Sequence, residues 1–323
     1  MFNQEEAGLS FSLEIKRELS RIEEQDNCCK KAELAGLIRA GIALRTYKGK
    51  PRLLFITENP SLSRHIYSRV KEFYKNSPDV FMLKTKRFRT HTVYHLEFTH
   101  LMNDTVHNIL EDMGIKIQGE GEALIYNTYS IQNRCCKRAY LRGGFLATGS
   151  ISDPDRSYHL EITFPDSLIA EEYIRFLNDF EVEPRQIMRK GHYLVYLKEG
   201  QEIVDFLNVI GAHIALMKLE NIRILKDMRN QVNRIVNCET ANLEKTVNAA
   251  LRQVDNIKFI AETKGLDSLP GSLRQIAELR LENPDVSLTE LGQMLTPALT
   301  KSGVNHRLRK IDNIAEKLRA THK

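Results

Sequence analysis

CCKKAELAGLIRAG (residues 28–41) returns as CCKRAYLRGGFLATG (residues 135–149), and the two stretches align without a gap from the cysteine pair through Ala40 and Ala147. Both carry the pattern Cys-Cys-Lys-basic-Ala-x-Leu-x-Gly. A repeat distance of roughly a hundred residues is too long for a solenoid unit, whose periods run about 20–50 residues, so each copy heads one half of a duplicated domain. On a helix, Ala32, Gly36 and Ala40 recur every fourth position and form a stripe of small residues, which Ala139, Gly143 and Ala147 repeat. Such stripes let two helix backbones approach closely.

Each half continues in the same order. After the first motif helix come a strand at residues 52–58, a helix at 61–76, β-rich segments at 80–88 and 91–99, and a helix at 101–113 that stops at Gly114. After the second come strands at 158–164, 185–189 and 192–198, the latter two joined by a Lys190-Gly191 turn, with helices at 166–180 and 199–210. From Ala212 to Lys264 the strand signals vanish and apolar residues such as Leu243, Val247, Leu251 and Val254 sit at helical spacing, which reads as a helical connector. The predicted domains are residues 1–125 (first half), 126–214 (second half), 215–265 (helical linker) and 266–323 (a small all-helical domain).

The C-terminal domain carries the sharpest local signals. Ser272 with Gln275 and Ser287 with Glu290 match capping boxes. They predict helices at 272–283 and 287–295, followed by the break TPALT and a basic third helix from Lys301. Residues 300–323 hold seven Lys or Arg and two acids, an excess of five that equals the net charge of the whole chain, +5. Around the third helix, Val304, Leu308 and Ile311 fall on one stripe, with Arg307 at its flank, while Lys301, Ser302, Asn305, His306, Arg309 and Lys310 supply the outward set. Short helix, tight turn and basic helix is the pattern of a helix-turn-helix, and these side chains offer donors for base edges and phosphates. They are the candidate DNA contacts.

Composition narrows the classes further. With 323 residues, 42% hydrophobic and 28% charged, the chain has the balance of an ordinary two-domain globular protein. Neither an apolar run of about 18 residues nor a basic-then-apolar leader is present, which predicts a cytoplasmic protein without membrane contact. Four of the five cysteines form adjacent pairs, without the C-x2-C spacing common in zinc sites, so buried structural thiols are expected and no metal. No Walker A loop, dinucleotide fingerprint or zincin motif occurs, which leaves no cofactor or small-molecule substrate to assign.

LAGLIRAG, from Leu34 to Gly41, resembles the LAGLIDADG signature of homing endonucleases. Together with the duplicated halves and a C-terminal helix ending GVNHRLRKI, the whole chain resembles the WhiA family of bacterial regulators. The resemblance implies an α+β fold: a duplicated LAGLIDADG homing-endonuclease-like domain, a helical linker and a C-terminal all-α helix-turn-helix domain. It further implies a cytoplasmic, nucleoid-associated protein that binds double-stranded DNA, has protein partners in transcription or cell division, and acts in transcription control or chromosome segregation.

In the endonuclease signature, the eighth letter of each copy is an acid that holds a divalent metal. Here those positions are Gly41 and Thr148, and the sixth letters are Arg39 and Leu146. Asp153 and Asp155 follow the second helix without counterparts after the first. Since Mg²⁺ requires oxygen ligands, no catalytic residues are expected. Basic residues on the strands, Lys84, Lys86, Arg87, Arg89, Arg189 and Lys190, are candidate contacts to the DNA backbone, with Arg45, Lys48, Arg52, Arg156 and Arg185 nearby. The leading function is a non-enzymatic DNA-binding regulator; a divergent nuclease and a nucleoid-bound interaction scaffold are the alternatives.

Overall fold

The computed structural model describes residues 10–24, 26–47, 50–75, 77–85, 91–98, 104–119 and 123–321. The candidate residues Lys48, Lys86, Arg87 and Arg89 lie outside them. A leading helix, α1 (Phe11–Leu19), precedes the first half, which runs α2 (Asn27–Gly41), β1 (Ile42–Tyr47), β2 (Lys50–Thr57), α3 (Pro60–Tyr74), β3 (Asp79–Thr85), β4 (His91–Phe98) and α4 (Asp104–Asp112). A short hairpin, β5 (Ile115–Gln118) with β6 (Ala123–Tyr126), leads to the second half. That half repeats the order: α5 (Arg134–Thr148), β7 (Ser150–Ile151), β8 (Leu160–Phe164), α6 (Ser167–Asn178), β9 (Arg185–Arg189), β10 (His192–Leu197) and α7 (Gly200–Ile210). The two four-stranded sheets are antiparallel and have the same strand order, β1-β2-β4-β3 and β7-β8-β10-β9. The duplication in sequence is therefore a duplication of topology.

The motif helices form the centre. Ala32 and Leu34 to Ala40 are buried along α2, as are Ala139 to Leu146 along α5, so both helices are enclosed on nearly all sides. They pack in parallel at backbone contact: a Cβ on Gly36 would stand 2.2 Å from the Tyr140 carbonyl oxygen, and one on Gly143 would stand 2.1 Å from that of Glu33. Only glycine fits at either crossing point. The sheets cover this pair with alternating side chains, Leu53 and Phe55 on β2 and Leu160, Ile162 and Phe164 on β8.

Two buried ionic networks stitch the halves together. Arg39, fully buried, donates Nε to the Tyr140 hydroxyl at 3.1 Å, Nη1 to the Met113 carbonyl at 2.8 Å, and Nη2 to the Asn127 carbonyl at 3.0 Å and to Glu172 at 3.3 Å. Glu172 also accepts from the Tyr140 hydroxyl at 2.7 Å and from the Tyr129 amide. Reciprocally, Arg142 of α5 donates to Glu33 of α2 and to Glu24, and Glu33 meets His65 of α3. Each half thus contributes one buried arginine to a carboxylate of the other, and the donors and acceptors around both charges are matched.

Burial pushes the Glu33 carboxyl up, but His65 and Arg142 outweigh it and hold its pKa below the usual carboxylate value. A depressed folded-state pKa contributes stability above the unfolded pKa of about 4.3 and loses it as the pH falls through the folded value. Glu33→Gln is therefore expected to destabilise the protein at pH 7 by more than it does at pH 3. Urea midpoints of the two proteins at several pH values check this; a pH-independent gap between them would contradict it.

The chain divides into two compact units, Met1–Lys226 and Asp227–Lys323. Helix α8 (His213–Lys264) contributes to both, and a 3-10 turn (Leu266–Ser268) leads into α9 (Gly271–Glu282), α10 (Leu288–Gln293) and α11 (Lys301–Thr321). In the second unit, Ile257 and Ile260 from the end of α8 join Leu273, Ile276, Leu291, Val304, Leu308 and Ile311 in one core. Asn256 bonds Asp312 at 2.7 Å and Arg280 bonds Gln253 at 3.2 Å, so the last turns of α8 serve as an additional helix of the C-terminal bundle. Among the described residues, no helix is long and apolar enough to cross a membrane.

Candidate nucleic-acid interface

Three local features shape the C-terminal unit. Ser287 caps α10: its hydroxyl accepts from the Glu290 amide and the Glu290 carboxylate accepts from the Ser287 amide, as the capping box predicts. The other predicted box does not form. Helix α9 begins at Gly271 after Pro270, which places Ser272 inside the first turn, where its hydroxyl does not cap. Its carbonyl instead accepts from Arg307 at 3.2 Å, tying the start of α9 to α11. Between α10 and α11 the chain folds back on Gly292: its carbonyl accepts from the Leu299 amide at 2.9 Å, and a Cβ there would stand 2.2 Å from the Leu299 carbonyl oxygen.

The faces of α11 separate as its sequence predicts. Val304, Leu308 and Ile311 are buried, and Ala315 and Leu318 extend that stripe beyond the motif. Lys301, Ser302, His306, Arg309 and Lys310 are exposed, and Asn305 is half-buried beside them. Among the described residues, no ion pair engages Lys301, Arg309 or Lys310. Their donors remain open on the first three turns of the second helix of a helix-turn-helix, the part that enters a major groove.

The strand-borne candidates do not share one surface. Antiparallel register sets Arg45 opposite Arg52 and places them, with Leu54, Ile56, Phe81, Leu83, His95 and Glu97, on the sheet face away from α2. Lys84 is exposed but lies at the opposite parity of β3, on the other face. In the second sheet, Arg185 and Arg189 share the outer face with Ile187, Leu194 and Tyr196, and Lys190 is exposed in the turn that follows, in a left-handed conformation. These outer faces are as apolar as they are basic, and Arg52 is engaged by Glu97.

The positions that hold acids in the endonuclease signature are filled by other means. A Cβ on Gly41 would stand 2.2 Å from the Phe55 ring, so no carboxylate side chain fits there without moving Phe55. Arg39, at the sixth letter, is consumed by its network with Glu172. Asp153 accepts from the Asp155 amide at 3.0 Å and holds an exposed turn. Among the described residues, the one grouping of three metal-ligating side chains consists of Cys28, Cys29 and Cys136, at the other end of the helix pair. Sequence reasoning missed Glu33, Arg142, Tyr140 and Glu172; the charged letters inside two otherwise small and apolar helices were the available signal.

Comparison with known proteins agrees with this architecture. The profile of the WhiA N-terminal LAGLIDADG-like domain matches residues 27–116, that of the WhiA LAGLIDADG-like domain residues 137–229, and that of the WhiA C-terminal HTH domain residues 232–315. The probable cell division protein WhiA of Ruminiclostridium cellulolyticum is 49% identical over 311 residues, covering 96% of this chain and 98% of the relative. That of Alkaliphilus metalliredigens is 46% identical over 317 residues, covering 96% and 99%. The crystal structure of full-length DUF199/WhiA from Thermatoga maritima superposes with a TM-score of 0.56 at 27% identity, over 96% of this chain and 99% of that one. With two LAGLIDADG-like halves, a helix-turn-helix and relatives matched nearly end to end, the chain belongs to the WhiA family.

Proposed function

We propose that the chain is a cytoplasmic, nucleoid-associated DNA-binding regulator without nuclease activity, acting in transcription control or chromosome segregation during cell division. The observation that carries the reading is the face of α11, where Lys301, Ser302, His306, Arg309 and Lys310 stand exposed on a well-packed helix-turn-helix. The relatives are named as probable cell division proteins, which supports the division context. Absence of cleavage is supported by the Phe55 ring at Gly41 and by the engagement of Arg39.

Arg309→Ala is expected to weaken binding to duplex DNA by about 1–3 kcal/mol, from about fivefold to somewhat over a hundredfold. Titration at several salt concentrations identifies the contact. A log–log slope reduced by about one marks a lost phosphate contact, whereas an unchanged slope with lost affinity marks a base edge. The DNA stays intact in the same titrations with Mg²⁺. Unchanged affinity, or cleavage, overturns the reading. Arg189 and Lys190, with Lys84 on its separate face and Lys86, Arg87 and Arg89, are proposed as auxiliary backbone contacts.

A second reading, a scaffold for protein partners in transcription or division, is favoured by the sheet faces. Ile56, Phe81 and Leu83 on one and Ile187 on the other are exposed in the spaces between the arginines. Exposed apolar patches rimmed by polar groups are a feature of protein-interaction surfaces.

A further inference from the structure

The duplicated cysteine pairs converge. Because α2 and α5 run parallel, Cys28 and Cys29 at the start of one meet Cys135 and Cys136 at the start of the other. Cys29 Sγ and Cys136 Sγ lie 3.9 Å apart, and the sulfurs of Cys28, Cys29 and Cys136 all fall within 4.8 Å of one another. Cys135, exposed at the neighbouring position of α5, is the fourth thiol at this end of the helix pair, and its sulfur is not part of that group. None of the four is in a disulfide. A tetrahedral ZnS4 centre with bonds of about 2.3 Å has sulfur–sulfur edges of about 3.8 Å. The Cys29–Cys136 separation already matches such an edge.

The surroundings suit an anionic thiolate centre. Neither N-cap side chain, Asp26 nor Asn133, caps its helix, and neither helix has an acid in its first turn. The cysteines lie in the first turns of two helices, whose positive dipole ends contribute favourably once the thiols are deprotonated by a metal. Lys30, Lys31, Lys137 and Arg138 follow directly; Lys30 and Lys137 are balanced by Glu72 and Asp179, at 2.7 and 2.6 Å. Soft thiolates select a thiophilic ion such as Zn²⁺ over Mg²⁺.

We propose that Cys28, Cys29, Cys135 and Cys136 form a structural tetrathiolate zinc site that clips the two halves together at the start of the motif helices. Binding is the exchange of four thiol protons for one Zn²⁺, with four Zn–S bonds formed, four S–H bonds broken and four protons released to solvent; no electron moves. Burial pushes the Cys29 thiol up, and that of Cys136 up to about 12, so uptake is expected to be favoured as the pH rises. The sequence concealed the site because each pair alone lacks zinc spacing, and the parallel crossing of the repeat supplies the missing separation.

The test uses the full chain, purified under reducing conditions, stripped with a chelator and titrated with Co²⁺ and then Zn²⁺. The expected result is one equivalent of Co²⁺ per chain, with a near-ultraviolet thiolate-to-cobalt charge-transfer band and the intense visible bands of a tetrahedral ion, all displaced by Zn²⁺. Cys29→Ser and Cys136→Ser are expected to lose stoichiometric uptake, while Cys238→Ser, which alters the exposed fifth cysteine on α8, keeps it. Far-ultraviolet circular dichroism of the metal-free variants separates loss of ligand from loss of fold. Titration of the unaltered chain decides the question even if the variants unfold: no charge-transfer band, or a Cys29–Cys136 disulfide in place of metal uptake, overturns the proposal. A band that persists in the folded Cys29→Ser, Cys136→Ser double variant also overturns it.

Discussion

Glu172→Ala is expected to destabilise the N-terminal unit by about 3–5 kcal/mol, the usual consequence of leaving a buried charge without its partner. The stranded group is Arg39, whose guanidinium has no exposed surface and whose remaining acceptors are neutral carbonyls and the Tyr140 hydroxyl. Glu172 also accepts bonds from Tyr140 and from the Tyr129 amide, so the substitution leaves a hydroxyl and a backbone donor short of an acceptor. Urea unfolding followed by signals from the N-terminal unit measures the loss. A change within about 1 kcal/mol would show that water enters and replaces the carboxylate. The double substitution Arg39→Met, Glu172→Leu is expected to recover part of the stability, because it removes the stranded charge but still leaves the Tyr140 hydroxyl and the Tyr129 amide without their acceptor.

Gly36→Ala is expected to cost about 2–3 kcal/mol in the same unit, although alanine is the better helix former by about 1 kcal/mol. The new methyl would meet the Tyr140 carbonyl oxygen at 2.2 Å and the Gly144 amide at 3.0 Å, both backbone atoms of α5, so no rotamer change relieves the clash. The two helices must separate, and every contact along the crossing loosens. Gly271→Ala, where a Cβ meets nothing within 4 Å, is the control and is expected to be neutral or slightly stabilising. Equal thermal shifts for the two variants would refute the close-approach account.

Much of this architecture was legible in the sequence because two independent patterns repeat. The stripe of Gly and Ala in each motif predicts a close helix pair, and alternating segments such as residues 158–164 predict strands; both are found. The α11 faces followed from the 3.6-residue period alone, and even Arg307 falls on the flank where it reaches α9. Helix α1, the hairpin of β5 and β6 and the short β7 went unread, since each is short and stabilised mainly by neighbours distant in sequence. Ser272 misled because a capping box is a local pattern, and Pro270 starts the helix before the serine can act on it. The ionic networks stayed hidden for a related reason: Arg39 pairs with a carboxylate 133 residues away, a partner no local pattern identifies.

The Gly36–Gly143 crossing also sets an order of events during synthesis. The partner of each α2 residue in the equivalent position of α5 is 107 residues further along the chain, as Cys29 and Cys136 show. At translation rates of about 5–20 residues per second, α2 leaves the ribosome about 5–20 s before its mate exists. Throughout that interval the helix has no surface to bury its inner side against, and Arg39 has no Glu172. Folding of the N-terminal unit therefore completes only after the second copy emerges.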